Sequence, residues 1–335
     1  MLSALVLLAL VACGAPSGPV EHTLAGEAMG TTYSVKVRAP AALDAAESKA
    51  VAEAVAAAID DVNQKMSTYL DSSELSRLNR LDEPGGVEMS ADTIAVFEEA
   101  RRIGELTDGV FDVTVGPLVN AWGFGPADRR EELSEAEIAE LRALTGWERI
   151  EIDKAASTIR KDGAGVYCDL SAIAKGYAVD RVSETLLQMG YGDHMVELGG
   201  EIRVHGVNAG GEPWRIAVEK PSADGGRAIQ RVLPLENLAM ATSGDYRNYF
   251  EKDGRRYSHE IDPRTGRPVE HHTASVSVVH PSCATADAWA TALIVLGEDD
   301  GFAKAVEQDL AAVFLIREGD GFTERATPAF ERLFP

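Results

Sequence analysis

The sequence predicts an α+β fold, and three observations carry that expectation. Apolar residues recur at helical spacing in some stretches and alternate at strand spacing in others. The two kinds are mixed without regular β–α–β alternation, which argues against a doubly wound parallel sheet. No G-x-G-x-x-G follows a strand-like run and no G-x-x-x-x-G-K-[ST] occurs, so any nucleotide is held in another way. The expected architecture is mixed, largely antiparallel sheets packed with helices.

Taken in order, TTYSVKVR at 31–38 alternates as a strand does. Residues 41–66 read as a helix, because Val51, Val55, Ile59, Val62 and Met66 form one apolar stripe. Further helices are expected at 90–106 and at 132–144, the second opened by Ser134 with acids in its first turn. Short strands follow at 148–152 and 157–160, then a helix from about 172 to 189. Strand-like runs lie near 194–205, 214–219, 229–239, 256–261 and 274–280. A helix at 284–296 and a strand at 311–316 close the expected series.

The first residues stand apart from this fold. MLSALVLLALVAC is an apolar run too short to span a bilayer by the roughly 20-residue criterion. It suits the apolar region of a secretory signal, although no Lys or Arg precedes it. The stretch "LVAC" resembles a bacterial lipobox, which makes Cys13 the expected lipidated residue. The expected organisation is a signal at 1–13, a short tether at 14–21 and one domain over 22–335. The expected location is the periplasmic side of a bacterial membrane. Cys168 and Cys283 then remain, as a bridge that an oxidising compartment permits or as two buried thiols.

Composition narrows the function. Hydrophobic residues make up 45% of the 335, enough for a sizeable core. With 32 basic against 54 acidic residues and a formal charge of -22, a nucleic-acid partner is excluded for want of a basic face. An acidic chain that binds a phosphorylated small molecule needs local compensation from a helix N-terminus, a lysine or a divalent cation.

Three stretches offer that chemistry. In ADAWATALIVLG (286–297), Asp287 and Thr291 stand four apart on one helical face, hard oxygen donors that suit Mg²⁺ rather than zinc. The simpler alternative is a first-turn acid that stabilises its helix. In DLSAIAKGYAVD (169–180), Asp169 precedes a helix with Ser171 as its expected N-cap, and Lys175 lies one turn on, within reach of an oxyanion. A capping acid with a solvated lysine is the alternative. In MATSGDYRNYF (240–250) and RYSHEIDPRTGRP (256–268), Thr242, Ser243, Gly244 and Asp245 read as a tight turn, and His259 as a candidate base. MGTTY (29–33), MSTYLDSSELSRLN (66–79) and GVFDVTVGPLVNAWGFG (109–125) couple aromatics or methionine with small residues. Such sequences can line a flat slot for a planar ring or simply pack a core.

In order along the chain, MGTTY, MSTYLDSSELSRLN, GVFDVTVGPLVNAWGFG, DLSAIAKGYAVD, ATSGDYRNYF, SHEIDPRTGRP and ADAWATA resemble the signature blocks of the ApbE family. The resemblance covers about residues 22–335. It implies an α+β fold and Mg²⁺-dependent transfer of FMN from FAD to a threonine or serine hydroxyl of a target protein, with AMP released. It further implies that Asp287, Thr291 and the Ala172 carbonyl bind Mg²⁺ and that Met29 and Tyr69 line the flavin slot. Val110, Phe111, Asp112, Asp169, Lys175 and Ile261 would contact the rest of FAD, and Ser243, Gly244 and Asp245 would shape the reacting end. His259 is the expected base, with Asp245 its competitor. Where some relatives carry a second acid just before the threonine, this chain has Ala290. Acceptors are expected to be membrane-associated redox subunits. An FAD pyrophosphatase and a non-catalytic FAD-binding lipoprotein are the competing functions.

Overall fold

The computed structural model describes residues 18–125, 133–221, 227–245, 249–252, 255–319 and 321–335. Its centre is an eight-stranded sheet. The strands are β1 (Val20–Ala28), β2 (Thr31–Ala39), β3 (His194–Leu198), β4 (Glu201–His205), β5 (Ala239–Gly244), β6 (Thr273–His280), β7 (Ala311–Glu318) and β8 (Gly321–Ala326). They lie side by side in chain order, each antiparallel to its neighbour. This is the α+β class that the sequence predicts.

Period-two alternation gives each face its own core. Val35, Val37, Val196, Ala241, Val276, Val278 and Phe314 face the helices Ala45–Met66, Ser171–Gln188 and Cys283–Glu307. Val204, Met240, Val279 and Val313 face the other way, onto a hairpin of Trp214–Pro221 and Arg227–Leu235 and onto Phe330 of the closing helix Pro328–Leu333. The Ala45–Met66 stripe is buried as its spacing predicts, and Asp44 closes a capping box at its start. Ser134 does the same for Glu135–Arg142.

Strand register decides where a site can form. The two-residue turn Met29–Gly30 and the turn Gly199–Gly200 fall at the same edge of the sheet, because Tyr33 pairs with Leu198. The 245–272 connection leaves β5 at this edge too. At Met29–Gly30 both φ angles are positive, +50° and +74°, the signature of a type I′ hairpin turn. A methionine there is uncommon, since the left-handed region favours Gly, Asn and Asp.

Several expectations change. Residues 239–244 are a strand, so the turn expected at Thr242–Asp245 begins only at Asp245. The 166–170 segment, expected as strand-like, belongs to no helix or sheet. The Asn79 amide donates from Nδ2 to the Cys168 carbonyl and accepts at Oδ1 from the Cys168 N–H, and the Asp169 N–H donates to the Val113 carbonyl; these bonds hold it instead. The expected 284–296 helix is the first part of Cys283–Glu307, which kinks at Gly297 (φ +83°). Beyond the expected closing strand come β8 and Pro328–Leu333. Cys168 and Cys283 are both buried free thiols whose pKa values burial pushes up. Among the described residues no helix is long and apolar enough to cross a membrane, and Cys13 lies outside the described residues.

Candidate active site

A cavity of about 1120 Å³ opens at the edge that carries the Met29–Gly30 and Gly199–Gly200 turns. It draws on both faces of the sheet. Thr32, Ser34, Met195, Glu197, Ile202, Met240 and Thr242 come from one side; Met66, Ala172, Lys175, Asp287 and Thr291 come from the helical side. Its size reaches past the usual 300–1,000 Å³ of small-molecule pockets and suits a large ligand such as a dinucleotide.

Most of the residues singled out in the sequence line this space. Met29, Tyr69, Val110, Phe111, Asp112, Asp169, Ala172, Lys175, Ser243, Gly244, His259, Ile261, Asp287 and Thr291 all do. Tyr69 stands 67% exposed at the cavity, while Val110 and Phe111 are buried in its wall. Burial pushes the Tyr69 hydroxyl pKa up, and the nearby Asp169 charge adds to the shift. Burial also raises the Asp112 pKa, although Thr114 donates to the carboxylate from both its N–H and its hydroxyl. Asp245 is placed otherwise: it is outside the cavity lining, and its carboxylate accepts from Arg317.

The cation expectation can be tested on the atoms present. Asp287, 3% exposed, faces the Ser171–Gln188 helix, where the Gly176 N–H donates to its Oδ2 at 3.0 Å. In an α-helix that N–H ordinarily closes on the carbonyl four residues back, here Ala172. Thr291 Oγ1 lies 3.0 Å from Ser243 Oγ. Lys175 Nζ lies 2.5 Å from Glu201 Oε1 and 3.9 Å from Asp287 Oδ1. Burial raises the Asp287 pKa above the usual carboxylate range, Lys175 opposing the shift and Glu201 reinforcing it. Burial works against the Lys175 ammonium, yet Asp287 and Glu201 hold its pKa above the ordinary lysine value. A carboxylate, a hydroxyl and a carbonyl, all hard oxygen donors, fit Mg²⁺. Among the described residues no group of three or more His, Cys, Asp or Glu is placed to hold a metal ion, so a cation here would rest on the single Asp287 carboxylate with neutral oxygen donors.

Ser171 is not the N-cap: it is already helical, the N-cap position is Leu170, and the preceding Asp169 accepts at Oδ1 from the Ser171 N–H and hydroxyl. His259 lines the cavity beside Phe124, ring centroids 6.3 Å apart. Its Nε2 is 3.4 Å from Glu260 Oε1, while its Nδ1 has no hydrogen-bond partner among the described residues.

Three residues escaped the sequence. Glu201 sits on β4 straight after the Gly199–Gly200 turn, and an acid behind a double glycine was the available signal. Asp180 lies inside DLSAIAKGYAVD, and from the Ser171–Gln188 helix it caps Cys283–Glu307. It accepts from Ser282 Oγ, Cys283 N, Ala284 N and Arg203 Nη1 at 2.6–3.1 Å. Glu201 and Arg203, two apart on one face of β4, thus grip Lys175 and Asp180 of one helix. Arg215 also lines the cavity, and nothing in its local sequence marks it.

Comparison with known proteins converges on one group. The ApbE family model matches residues 29–314. An FAD:protein FMN transferase of Haemophilus influenzae is 46% identical over 330 residues, 97% of this chain and 94% of that one. Its counterpart from Vibrio cholerae serotype O1 is 45% identical over 327 residues, 97% and 96%. The solved flavin transferase ApbE from Vibrio cholerae superposes with a TM-score of 0.85 at 43% identity, covering 94% of this chain and 99% of that one. The apo Pseudomonas stutzeri flavinyl transferase ApbE gives a TM-score of 0.85 at 37% identity, covering 94% and 97%.

Proposed function

Because the chain belongs to the ApbE family, we propose that it is a Mg²⁺-dependent FAD:protein FMN transferase acting on a threonine or serine hydroxyl of another protein. One observation carries this most directly. A single cavity joins an exposed tyrosine and a strained methionine turn, suited to a flavin ring, with Asp287, Thr291, Ala172 and Lys175, suited to a pyrophosphate and its cation.

The chemistry follows from the lining. Tyr69 and Met29 hold the isoalloxazine, while Val110, Phe111, Asp112, Asp169 and Ile261 shape the remainder of the dinucleotide cradle. The acceptor hydroxyl attacks the phosphorus nearest the flavin, a new P–O bond forms, and the bond to the bridging oxygen breaks so that AMP leaves with that oxygen. His259, which lines the cavity, takes the hydroxyl proton, and Glu260 beside Nε2 steadies the imidazolium that results. Lys175 counters the charge of the phosphates, and Ser243 and Gly244 border the reacting end. Asp287, Thr291 and the Ala172 carbonyl would hold Mg²⁺, which when bound would supply Lewis-acid polarisation of the phosphoryl group and charge neutralisation.

The deciding experiment is mass spectrometry of a threonine-containing acceptor domain incubated with the protein, FAD and Mg²⁺. The expected result is a gain of one FMN in phosphoester linkage, lost on chelation and lost in Asp287→Ala. FMN and AMP released without acceptor modification would make it a pyrophosphatase, and FAD bound but never consumed would make it a flavin carrier. We further propose tethering through Cys13 on the periplasmic side and acceptors among membrane redox subunits. Incorporation of labelled fatty acid that survives in Cys13→Ser would overturn the tether.

A further inference from the structure

The cavity has a lobe to which the dinucleotide has no claim. The residues assigned to FAD, from Met29 and Tyr69 to Ile261, lie on turns and loops at the sheet edge or on the Ser171–Gln188 helix. On the other face of the sheet the floor is Thr32 and Ser34 of β2, Met195 and Glu197 of β3 and Ile202 of β4. These alternate with Val35, Val196 and Leu198, which pack toward the helices. None of the five floor residues has a part in the reaction described above.

One wall of this lobe is the edge of a strand. Arg215, Ile216, Ala217 and Glu219 of Trp214–Pro221 all line it. Successive side chains of a strand point to opposite faces, so consecutive residues meet one cavity only where the strand turns its edge toward it. Ile216 packs down onto the sheet with Trp214 and Val218, whereas Arg215 is exposed on the outer face. Trp214–Pro221 pairs with Arg227–Leu235 alone. That second strand lies toward β8, where Gln230 and Arg231 both reach Glu324, while Trp214 Nε1 donates to the His205 carbonyl of β4. The free edge of Trp214–Pro221 thus faces the floor made by β2 and β3.

Pro234 decides which backbone groups that edge presents. It stands opposite Arg215 and has no N–H to give. A ladder accommodates proline at a non-hydrogen-bonded pair, so Arg215 and, two residues on, Ala217 direct their N–H and C=O groups away from the hairpin. Neither makes a backbone hydrogen bond outside the hairpin among the described residues. Donors and acceptors at strand spacing therefore border the same cavity as Ser243, Gly244 and His259.

We propose that this edge receives the acceptor protein, whose modified threonine or serine enters on an extended segment added to the hairpin as a third strand. This rests on the proposed transfer reaction, which requires a polypeptide to reach the phosphorus inside the cavity. A strand added there lies about 4.8 Å from Trp214–Pro221, over the floor of β2 and β3. Its main chain supplies the affinity, and its alternate side chains, resting on Met195 and Ile202, favour apolar residues.

The test is steady-state transfer to the threonine-containing acceptor domain, with FAD affinity read separately from flavin fluorescence. Ala217→Pro removes an edge N–H and sets a ring where the incoming strand would pair, a change that an edge strand tolerates. The acceptor KM is expected to rise about fivefold or more, since one backbone bond alone is worth roughly 2- to 10-fold. FAD affinity and the melting temperature should hold. An unchanged acceptor KM in the folded variant overturns the proposal. A loss of FAD affinity that accounts for the whole change in transfer also overturns it, and gives the lobe to the dinucleotide. If Ala217→Pro does not fold, a synthetic threonine peptide N-methylated at one backbone nitrogen at a time decides the matter. Strand addition requires slower modification at every second position; an equal effect at all positions, or none, refutes it. If the unaltered protein modifies no acceptor, the transfer reaction itself falls and the docking edge with it, an outcome distinct from transfer that ignores the edge.

Discussion

Replacing Asp180 by alanine removes the acceptor on which two helices and a strand converge. Four donors lose their partner: Ser282 Oγ, the N–H groups of Cys283 and Ala284, and the Arg203 guanidinium. Cys283 and Ala284 are buried, so their N–H groups find no water in place of the carboxylate. An unsatisfied buried donor costs about 1–3 kcal/mol, and breaking a buried ion pair costs about 3–5 kcal/mol. The contributions overlap, which puts the loss at roughly 3–5 kcal/mol; at about 2–4 °C per kcal/mol the melting temperature falls by roughly 6–20 °C. Asp44→Ala is the comparison, since Asp44 caps Ala45–Met66 in an exposed setting where a lost N-cap costs about 1 kcal/mol. Scanning calorimetry of both variants decides the matter. A D180A midpoint no lower than that of D44A would refute the claim that Asp180 locks the Cys283–Glu307 helix to its neighbour.

Other outcomes follow from the same geometry. A Cβ at Gly176 would lie 2.4 Å from the Cys283 carbonyl oxygen and 2.8 Å from Asp287 Cβ, so Gly176→Ala forces the two helices apart. It should cost about 1–3 kcal/mol and weaken Mn²⁺ binding together with transfer; unchanged metal affinity would contradict the close-packing account. Tyr69 is exposed, so Tyr69→Ala should alter stability by less than about 0.5 kcal/mol while raising the KM for FAD, and Tyr69→Phe should restore the KM. His194 is buried against Ser183 and stacked on His205, and burial lowers its pKa to about 4. The unfolded chain therefore takes up the proton first. This contribution to stability is complete above about pH 6.5 and falls by roughly 1.4 kcal/mol per pH unit toward pH 4. Urea midpoints at pH 7 and pH 5 should converge in His194→Gln, and an undiminished pH dependence would exclude this histidine as its source.

The parts of the fold that the sequence revealed are those where periodicity meets burial. The Ala45–Met66 stripe and the alternation of β2 and β6 are patterns that a one-sided core requires. β1 was silent because it is an edge strand with no fully buried residue. Glu74–Asn79 and Gly116–Ala121 were silent because six residues are too few to show a helical period. For the site, side chains in local motifs could be named in advance, and the cavity gathers nearly all of them. Glu201 and Asp180 could not be named. Their importance lies in partners more than twenty residues away in the chain, which only the sheet register and the antiparallel helix pair bring within reach.

The first strand of the sheet also has a direction. Val20 pairs with Ala39 at one edge and Ala28 with Thr31 at the other, where the cavity opens. Nine residues of strand cover on the order of 30 Å, so Val20 itself lies a full strand-length from the mouth. If the tether proposed through Cys13 runs on from Val20 along the strand direction, the opening would point away from the supporting surface. An acceptor in the same membrane must then offer its hydroxyl on a segment that stands clear of the bilayer by a comparable height. Shortening that segment stepwise, or lengthening the 14–21 tether, should change the rate of modification while free FAD is bound as before.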